Sequence, residues 1–285
     1  MFGAGGASEG GAAEGRISPG GATDAAVGRL ARGTRDAGEP PSGNGASSFH
    51  LFWELPGEFV SVSADLEVLR TPERPRLCFW ALQADFTDHG RPGGGGHLGL
   101  QFHPSYPSGT AVNWGGYAAS GRELDGSTSQ LKSTLGNHNT RDLAWEAGRR
   151  YRLRIAAAGD EAFSPPGLNA WRGTVTDLDS GQTVVVRDLW TTGTSLTRPM
   201  VWSEIFARCE HPSVDVRWSS FEAVAADGTT HRPTALNVNY QSYRDGGCSN
   251  TNSWLEGDAV RQMTNTERLT PQGARLVLPA ANGNG

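Results

Sequence analysis

Three strand-like segments follow one another between residues 76 and 117: RLCFWALQADF (76–86), GHLGLQFH (96–103) and TAVNWGGY (110–117). Each is rich in aromatic and β-branched residues, and short polar turns separate them. Successive strands with tight turns predict an antiparallel meander. The side chains that this meander would present are of the types that hold sugars and other polar molecules: Trp80, His97, Gln101, His103 and Trp114.

The flanking sequence repeats the two-residue period of half-buried strands. In EFVSVSADLEVLR (58–70) the apolar and polar residues alternate, and in RRYRLRIAAAG (149–159) Tyr151, Leu153 and Ile155 alternate with arginines. Asp179-Ser180-Gly181 separates two further strand-like segments and predicts a hairpin turn. Many short strands with regular turns predict an all-β fold, an antiparallel β-sandwich of the jelly-roll or concanavalin-like kind.

Composition supports this fold class and excludes some functions. The chain has 285 residues, with 39 glycines and 9 tryptophans, which suits a turn-rich β-protein. A net charge of -5 argues against non-specific nucleic-acid binding, and no run of about 18 apolar residues predicts a membrane span. The first residues, MFGAGGASEGGAAEGR, lack the pattern of a signal peptide.

Three regions of the sequence differ in amino-acid composition. Residues 1–47 are Gly, Ala, Ser and charge, which predicts a disordered tail with at most a transient helix at 22–31. Residues 48–228 carry the strand patterns of the sandwich domain. From Thr229 onward the sequence is polar, and we expect residues 229–285 to be an appendage that packs on the sandwich.

The three cysteines do not form a CxxC pair, so a structural zinc site is not expected. Cys248 lies in a polar segment and is the best candidate for a disulfide, with Cys209 or Cys78 as its partner. Cys78 stands in an apolar strand, which favours a buried thiol.

The order of these segments resembles bacterial family 3472 of domains of unknown function, over roughly residues 49–224. The resemblance is carried by an aromatic strand, a Gly-hydrophobe-Gln strand, a strand ending in Trp, a WxxGxxYR strand, and an acidic residue before an aromatic. The corresponding residues are Trp80, Gly99, Leu100, Gln101, Trp114, Trp145, Gly148, Tyr151, Glu204 and Phe206. The resemblance implies a concanavalin-like sandwich, secreted or at the cell surface, often beside carbohydrate-related modules, with no established reaction.

The function predicted from these residues is non-catalytic, lectin-like carbohydrate binding. Aromatic rings stack on sugar rings, and amides or carboxylates hold the hydroxyls. The candidate ligand-binding residues are Gln101, His103, Tyr106, Asn113, Trp114 and Glu204. The alternative for each tryptophan is a place in the core. Gln101, Asn113 and Glu204 are more informative, because a polar residue within an apolar strand needs a partner or a ligand.

A glycan-active enzyme on the same fold is the competing class. A hydrolase needs two carboxylates about 5–10 Å apart. Glu204 is the best first carboxylate, and its partner is open among Asp85, Glu210, Asp215 and Glu222. A polysaccharide lyase would use His103 as base, since Gln101-Phe102-His103 resembles the Gln-x-His of alginate-lyase sandwiches. A purely structural or partner-binding sandwich is the third class.

No cofactor is predicted, and Ca²⁺ is the one metal considered. Side chains that could ligate an ion are Asp85, Asp88, His89, His97, His103 and His211, and the loop DGGCSNTN (245–252) has suitable oxygens. Ordinary turn chemistry explains that loop equally well. The arginine row Arg150, Arg152 and Arg154 is expected to be the solvent face of a strand, opposite acidic residues.

Overall fold

The computed structural model describes residues 47–73 and 75–279. Within these ranges it contains β-strands and one short 3-10 helix, Tyr243–Asp245, but no α-helix. The strands, in chain order, are β1 Ser47–Trp53, β2 Ser61–Val68, β3 Cys78–Asp88, β4 Arg91–Phe102, β5 Thr110–Tyr117, β6 Ser133–Thr134, β7 Asn137–Asp142, β8 Arg150–Ala157, β9 Asn169–Asp177, β10 Thr183–Thr191, β11 Ser195–Ile205, β12 Asp215–Val224, β13 Thr230–His231, β14 Ala235–Tyr240, β15 Asn252–Glu256, β16 Ala259–Met263 and β17 Arg275–Val277.

Two antiparallel sheets make up the sandwich. The nine-stranded sheet has the order β17-β14-β1-β11-β3-β4-β5-β7-β6, and the eight-stranded sheet has the order β10-β9-β8-β2-β12-β16-β15 with β13 beside β12. Their inner faces share one hydrophobic core that includes Leu51, Leu82, Leu100, Leu153 and Trp218. The predicted all-β sandwich is therefore confirmed. No helix in the described ranges is long and apolar enough to cross a membrane.

The alternating patterns produce the two faces of each strand. On β2, Val62, Ala64 and Leu66 are fully buried, as the two-residue period requires. Arg152 on β8 lies directly opposite Asp65 on β2 and forms a bidentate ion pair, with Nε–Oδ1 at 2.7 Å and Nη2–Oδ2 at 3.1 Å. For Arg152, the expected cross-strand acidic partner is present.

The C-terminal residues belong to the sandwich itself. Strand β14 pairs with β1 in the nine-stranded sheet, and β16 pairs with β12 in the eight-stranded sheet. The residues after Thr229 thus extend both sheets, where the sequence suggested an appendage packed on a finished sandwich. The residues after Thr229 are rich in polar side chains because these strands lie towards the sheet edges. The predicted tail, residues 1–47, and its transient helix lie outside the described residues except for Ser47.

The glycine run before His97 lies within a strand. We expected a flexible connection from the sequence GRPGGGG, but β4 begins at Arg91, pairs with β3 from there and pairs with β5 from Gly95 onward. A Cβ on Gly94 would lie 1.8 Å from the carbonyl oxygen of Tyr117, so the neighbouring backbone occupies the side-chain position. The expectation was wrong because these glycines permit close strand packing rather than chain mobility.

Cys209 and Cys248 form a disulfide, and Cys78 is a buried cysteine outside it. The bridge joins the loop after β11 to the segment before β15. Asn250 reinforces this connection, because its amide donates to the carbonyl oxygen of Cys209 at 2.9 Å. The segment considered as a calcium loop is thus held by a disulfide and by hydrogen bonds within the chain.

Gln262 connects the two sheets through the core. Its Oε1 accepts hydrogen bonds from Ser203 Oγ at 2.7 Å and Trp218 Nε1 at 3.0 Å, and its Nε2 donates to the Phe49 carbonyl at 2.9 Å. The side chain is 1% exposed. Gln262 therefore satisfies three buried polar groups simultaneously.

Replacing Gln262 with leucine is expected to lower the free energy of unfolding by about 2–4 kcal/mol, because three buried groups lose their partner. Urea denaturation measures the change. The matched control is Gln182→Leu in an exposed turn, which should change stability by less than about 0.5 kcal/mol. Equal effects of the two substitutions would contradict the role assigned to Gln262.

Candidate functional site

The outer face of the nine-stranded sheet carries the candidate site. Cross-strand pairing places one residue from each of seven strands in a single transverse row, which we call the central row. From β14 to β7 the central row reads Asn239, His50, Trp202, Ala81, Gly99, Asn113 and Thr140. Directly paired residues point to the same face of a sheet, so these side chains share one surface.

Two further rows flank the central row on the same face. One contains Asn237, Phe52, Met200, Gln83, His97 and Gly115. The other contains Ser48, Glu204, Phe79, Gln101, Ala111 and Asp142. Aromatic, imidazole and amide groups thus alternate across the surface.

The middle of the central row carries its smallest residues, and we call this stretch the trough. Ala81 and Gly99 form its floor, because they carry a methyl group and no side chain, with Trp202 on one side and Asn113 on the other. Both floor residues are buried, and the His97 ring lies near both sides, 6.0 Å from the Trp202 ring and close to the Asn113 amide. Three strand spacings separate Trp202 from Asn113, or about 14 Å between their Cα atoms. A Cβ on Gly99 would lie 2.0 Å from the Trp80 carbonyl oxygen, so close packing of β3 against β4 requires glycine here.

Aromatic rings line one side of the trough. The Trp202 ring lies 4.8 Å from Phe79, 6.0 Å from His97 and 6.2 Å from His50, measured between ring centroids. The indole Nε1 of Trp202 donates to Gln83 Oε1 at 2.9 Å, which fixes the orientation of the ring. Trp202 is 7% exposed, so it forms the base of this surface rather than a projecting ring.

Two polar atoms of the central row lack a hydrogen-bond partner among the described residues. They are Nδ1 of His50 and Oδ1 of Asn113, both buried. Asn113 Nδ2 donates to Thr140 Oγ1 at 2.9 Å, which fixes the amide. Burial lowers the pKa of His97, and the nearby Asn113 amide partly opposes this effect, although the two side chains are not in hydrogen-bond geometry. Buried polar atoms without a protein partner usually bind water or a ligand.

The face is nearly uncharged at its centre. Burial lowers the pKa of His50 and that of His97 to about 4, so both imidazoles are neutral at pH 7. In the three rows, the ionisable carboxylates are Glu204 and Asp142 at one border. Beyond the opposite border, burial raises the pKa of Asp85, whose carboxylate contacts Arg198 at 3.3 Å.

The two histidines predict an acid-labile fold. Their folded-state pKa values lie below the ordinary 6.5, so the unfolded chain takes up protons first as the pH falls. Their contribution to stability is complete above pH 6.5 and is lost as the pH falls towards 4. Both rings keep partial exposure, so solvent reduces the effect of the two pKa differences on stability. The two histidines together should lower the free energy of unfolding by about 2–3 kcal/mol.

Urea denaturation at pH 7.0, 5.5 and 4.5 measures this loss. The double variant His50→Gln, His97→Gln serves as the control, since other groups also titrate in this range. Wild type should lose more stability than the variant between pH 7.0 and 4.5. The same pH dependence in both proteins would contradict the assignment.

Five of the six predicted binding residues lie at or beside this face. Gln101, Asn113 and Glu204 belong to the rows, and His103 and Tyr106 lie in the loop between β4 and β5. Tyr106 donates its hydroxyl to Gln101 Oε1 at 2.8 Å, and burial raises its pKa to about 12. The His103 ring is 5.5 Å from Tyr106, and Nδ1 accepts the Ser105 amide at 3.0 Å.

Trp80 and Trp114 lie in the core, contrary to the surface position expected for them. Both side chains are fully buried, and Trp114 Nε1 donates to the Trp171 carbonyl at 3.3 Å across the two sheets. Trp114 follows Asn113 by one residue, so strand alternation sends it to the opposite face. It cannot stack on a ligand.

Sequence reasoning missed five residues that line the site: His50, Phe52, Phe79, Gln83 and Trp202. The signal was present in the alternation of FHLFW (49–53) and VWSE (201–204), where every second residue is polar or aromatic between core positions. Their convergence depends on β11 pairing with both β1 and β3, which local pattern does not reveal.

Three of the four carboxylates considered as partners of Glu204 in a hydrolase pair lie away from it, and the fourth, Glu210, lies in the turn after β11. Asp215 and Glu222 lie on β12 of the eight-stranded sheet, away from Glu204 on β11. Asp85 stands six residues along β3 from Phe79, the cross-strand partner of Glu204, or about 20 Å. Glu204 Oε1 accepts from Ser48 Oγ at 3.1 Å.

The described ranges contain no cluster of three His, Cys, Asp or Glu side chains that could hold a metal ion. The candidate ligands from the sequence are separated: His97 lies on the trough face, His103 in the loop after β4, and His211 after β11. Asp88 and His89 lie at the turn between β3 and β4.

No protein-family model matches the chain, and no curated protein matches it. Among solved structures, a scytalido-glutamic peptidase with a peptide-based transition state analog is 12% identical, covers 76% of this chain and 97% of its own, and gives a TM-score of 0.43. SCP-B, a member of the eqolisin family of peptidases in complex with the tripeptide Ala-Ile-His, is 11% identical over 76% of this chain and 97% of its own, with a TM-score of 0.35. Sequence identities and TM-scores this low give no information about the activity of this chain.

Proposed function

We propose that this protein binds a neutral glycan chain in the trough across the outer face of the nine-stranded sheet. The observation that carries the proposal is the central row. It combines a floor of Ala81 and Gly99 with aromatic rings on one side and two buried, unsatisfied polar atoms, His50 Nδ1 and Asn113 Oδ1.

The chemistry of the rows favours a sugar over other ligands. Phe52 is partly exposed and offers aromatic surface for the C–H face of a pyranose ring, and the buried rings of Trp202 and Phe79 form the apolar base beneath it. The neutral groups of His50, Gln83 and Asn113 match hydroxyl groups, which both donate and accept hydrogen bonds. The trough crosses several strands, so its length suits a chain of sugars better than a single residue.

The low charge of the face supports a neutral ligand. Neutral imidazoles and amides do not repay the desolvation of an ionised group, whereas a hydroxyl costs less to bury. The two carboxylates at the border, Glu204 and Asp142, would repel an anionic polymer. The proposal therefore excludes nucleic acid as the ligand of this face.

A glycan array probed with the full chain tests the proposal, with Ca²⁺ and again with a chelator. We expect retention of neutral polysaccharides, equal in both conditions, with no increase of reducing ends or unsaturated products over time. Time-dependent products would favour the alternative of a hydrolase or lyase that uses Glu204 or His103. No retention by folded protein would favour a structural or partner-binding sandwich.

We also propose a secreted or cell-surface location and membership of bacterial family 3472 of domains of unknown function. The Cys209–Cys248 disulfide supports an oxidising compartment, where such bonds persist. Thiol titration of unfolded protein isolated without reductant tests the compartment. One reactive thiol per chain is expected, and three would contradict an oxidised native state.

A further inference from the structure

Two arginines, Arg141 and Arg187, lie near each other at an edge of the sandwich, away from the trough. Arg141 lies on β7 opposite Val112, whose side chain is in the core, so it projects to the inner side of the nine-stranded sheet. Arg187 lies on β10, an edge strand of the eight-stranded sheet. Asn139, two residues before Arg141 on the same side of β7, connects them because its Oδ1 accepts from Arg187 Nη2 at 2.7 Å.

Arg187 is 4% exposed and forms no ion pair with any described residue. Its Nε is buried without a hydrogen-bond partner, and Asn139 is its one side-chain acceptor in the described ranges. One side of the guanidinium packs on Gly126, since a Cβ there would be 3.3 Å from Arg187 Cζ. Burying a cation whose N–H donors lack acceptors costs free energy, unless an anion binds to those donors and neutralises the charge.

Arg141 shares these features with Arg187 but is the more exposed of the two. It is half-buried, its Nε is buried without a partner, and it forms no described ion pair. The two charges oppose each other: burial, followed by repulsion from Arg141, lowers the pKa of Arg187 to about 10. Both groups remain protonated at pH 7, so the repulsion persists there.

The neighbouring acids are engaged elsewhere. Asp125 pairs with Arg122 at 3.2 Å. Glu123 accepts a hydrogen bond from Asn139 Nδ2 and lies 3.6 Å from His138 Nε2. Glu123 and Asp125 act on Arg187 at longer range, but neither forms a salt bridge with it. The two arginines therefore keep donors available for an anion from outside.

We propose that Arg141 and Arg187 form a binding site for a small oxyanion, a carboxylate, sulfate or phosphate group. Guanidinium groups bind such groups through parallel N–H donors, and two of them around one anion remove the repulsion between them. The anion would enter from the side of Arg141, which retains exposure, and reach the unfilled donors of Arg187. This site is separate from the trough and does not depend on the proposed glycan.

Thermal unfolding of the full chain with sodium sulfate, phosphate or acetate tests the site. Each salt is titrated to 10 mM at an ionic strength held constant with sodium chloride, so that general salt effects cancel. Wild type should gain about 3–5 °C in Tm with at least one anion, saturating in the millimolar range. The best of the three identifies the class, planar carboxylate or tetrahedral oxyanion.

The variants R141M and R187M should each lose this gain, while R150M, an exposed arginine on β8, should retain it. R187M should itself be at least as stable as wild type without anion, because it removes an unpaired buried charge. If R187M fails to fold, R141M alone decides the question. No gain in wild type with any anion, or a full gain in a folded R141M, would overturn the proposal.

Discussion

Replacing Trp114 with alanine should lower the free energy of unfolding by about 3–5 kcal/mol, the usual loss for a large aromatic residue removed from a core. Trp114 is fully buried between the sheets. Its ring fills space that two glycines leave open, because a Cβ on Gly173 or Gly96 would lie within 2.9 Å of indole atoms. The resulting cavity cannot collapse without moving both sheets.

Urea denaturation of Trp114→Ala measures this loss, with Trp190→Ala as the control. Trp190 is half-buried on β10, where its ring packs edge-on against the exposed Phe163 at 5.7 Å. The same truncation there should cost about 1 kcal/mol. A loss below 1 kcal/mol at Trp114 would show that the residue is not part of the packed core.

Replacing Trp202 with alanine should weaken glycan binding at least about tenfold, or 1.4 kcal/mol, because the aromatic side of the trough disappears. Trp202 contacts Phe79, His50 and His97, so those rings also lose their support. Asn113→Ala removes the buried acceptor opposite Trp202 and should cost about 5–10-fold through the lost hydrogen bond.

Isothermal titration calorimetry of the folded variants measures both effects. Trp190→Ala on the other sheet is the matched control and should bind as wild type does. Because Trp202 also supports its neighbours, Asn113→Ala distinguishes loss of binding from loss of structure: it leaves the aromatic rings in place. Wild-type affinity in both variants would place the ligand elsewhere.

Much of the fold is encoded locally. On β2 the alternation of Val62, Ala64 and Leu66 with polar residues predicted a half-buried strand. The apolar face lies in the core as predicted, but Ser61, Ser63 and Asp65 on the other face are also buried. The segment Asp179-Ser180-Gly181 predicted a turn, and β9 and β10 pair on either side of it. The informative polar residues Gln101, Asn113 and Glu204 all lie on the outer face, because each adjoins a core residue of its own strand and successive side chains point to opposite faces. The adjoining core residues are Leu100, Val112 and Ile205.

The site itself depends on pairing between distant segments. His50, Trp202 and Asn113 come from β1, β11 and β5. The two-residue alternation within each strand does not indicate that β11 lies between β1 and β3. The same holds for Arg141 and Arg187, which belong to different sheets. Trp114 was misplaced for a simpler reason: its chemistry suits sugar binding, but its register assigns it to the core.

The affinity of the full chain for soluble neutral polysaccharides at pH 7, measured by isothermal titration calorimetry, tests the central claim most directly. The account predicts saturable binding to at least one of them that is unchanged by chelator and is weakened at least about tenfold in Trp202→Ala. Absence of binding by folded wild-type protein, or equal affinity in Trp202→Ala, would contradict the assignment of the trough as a glycan site.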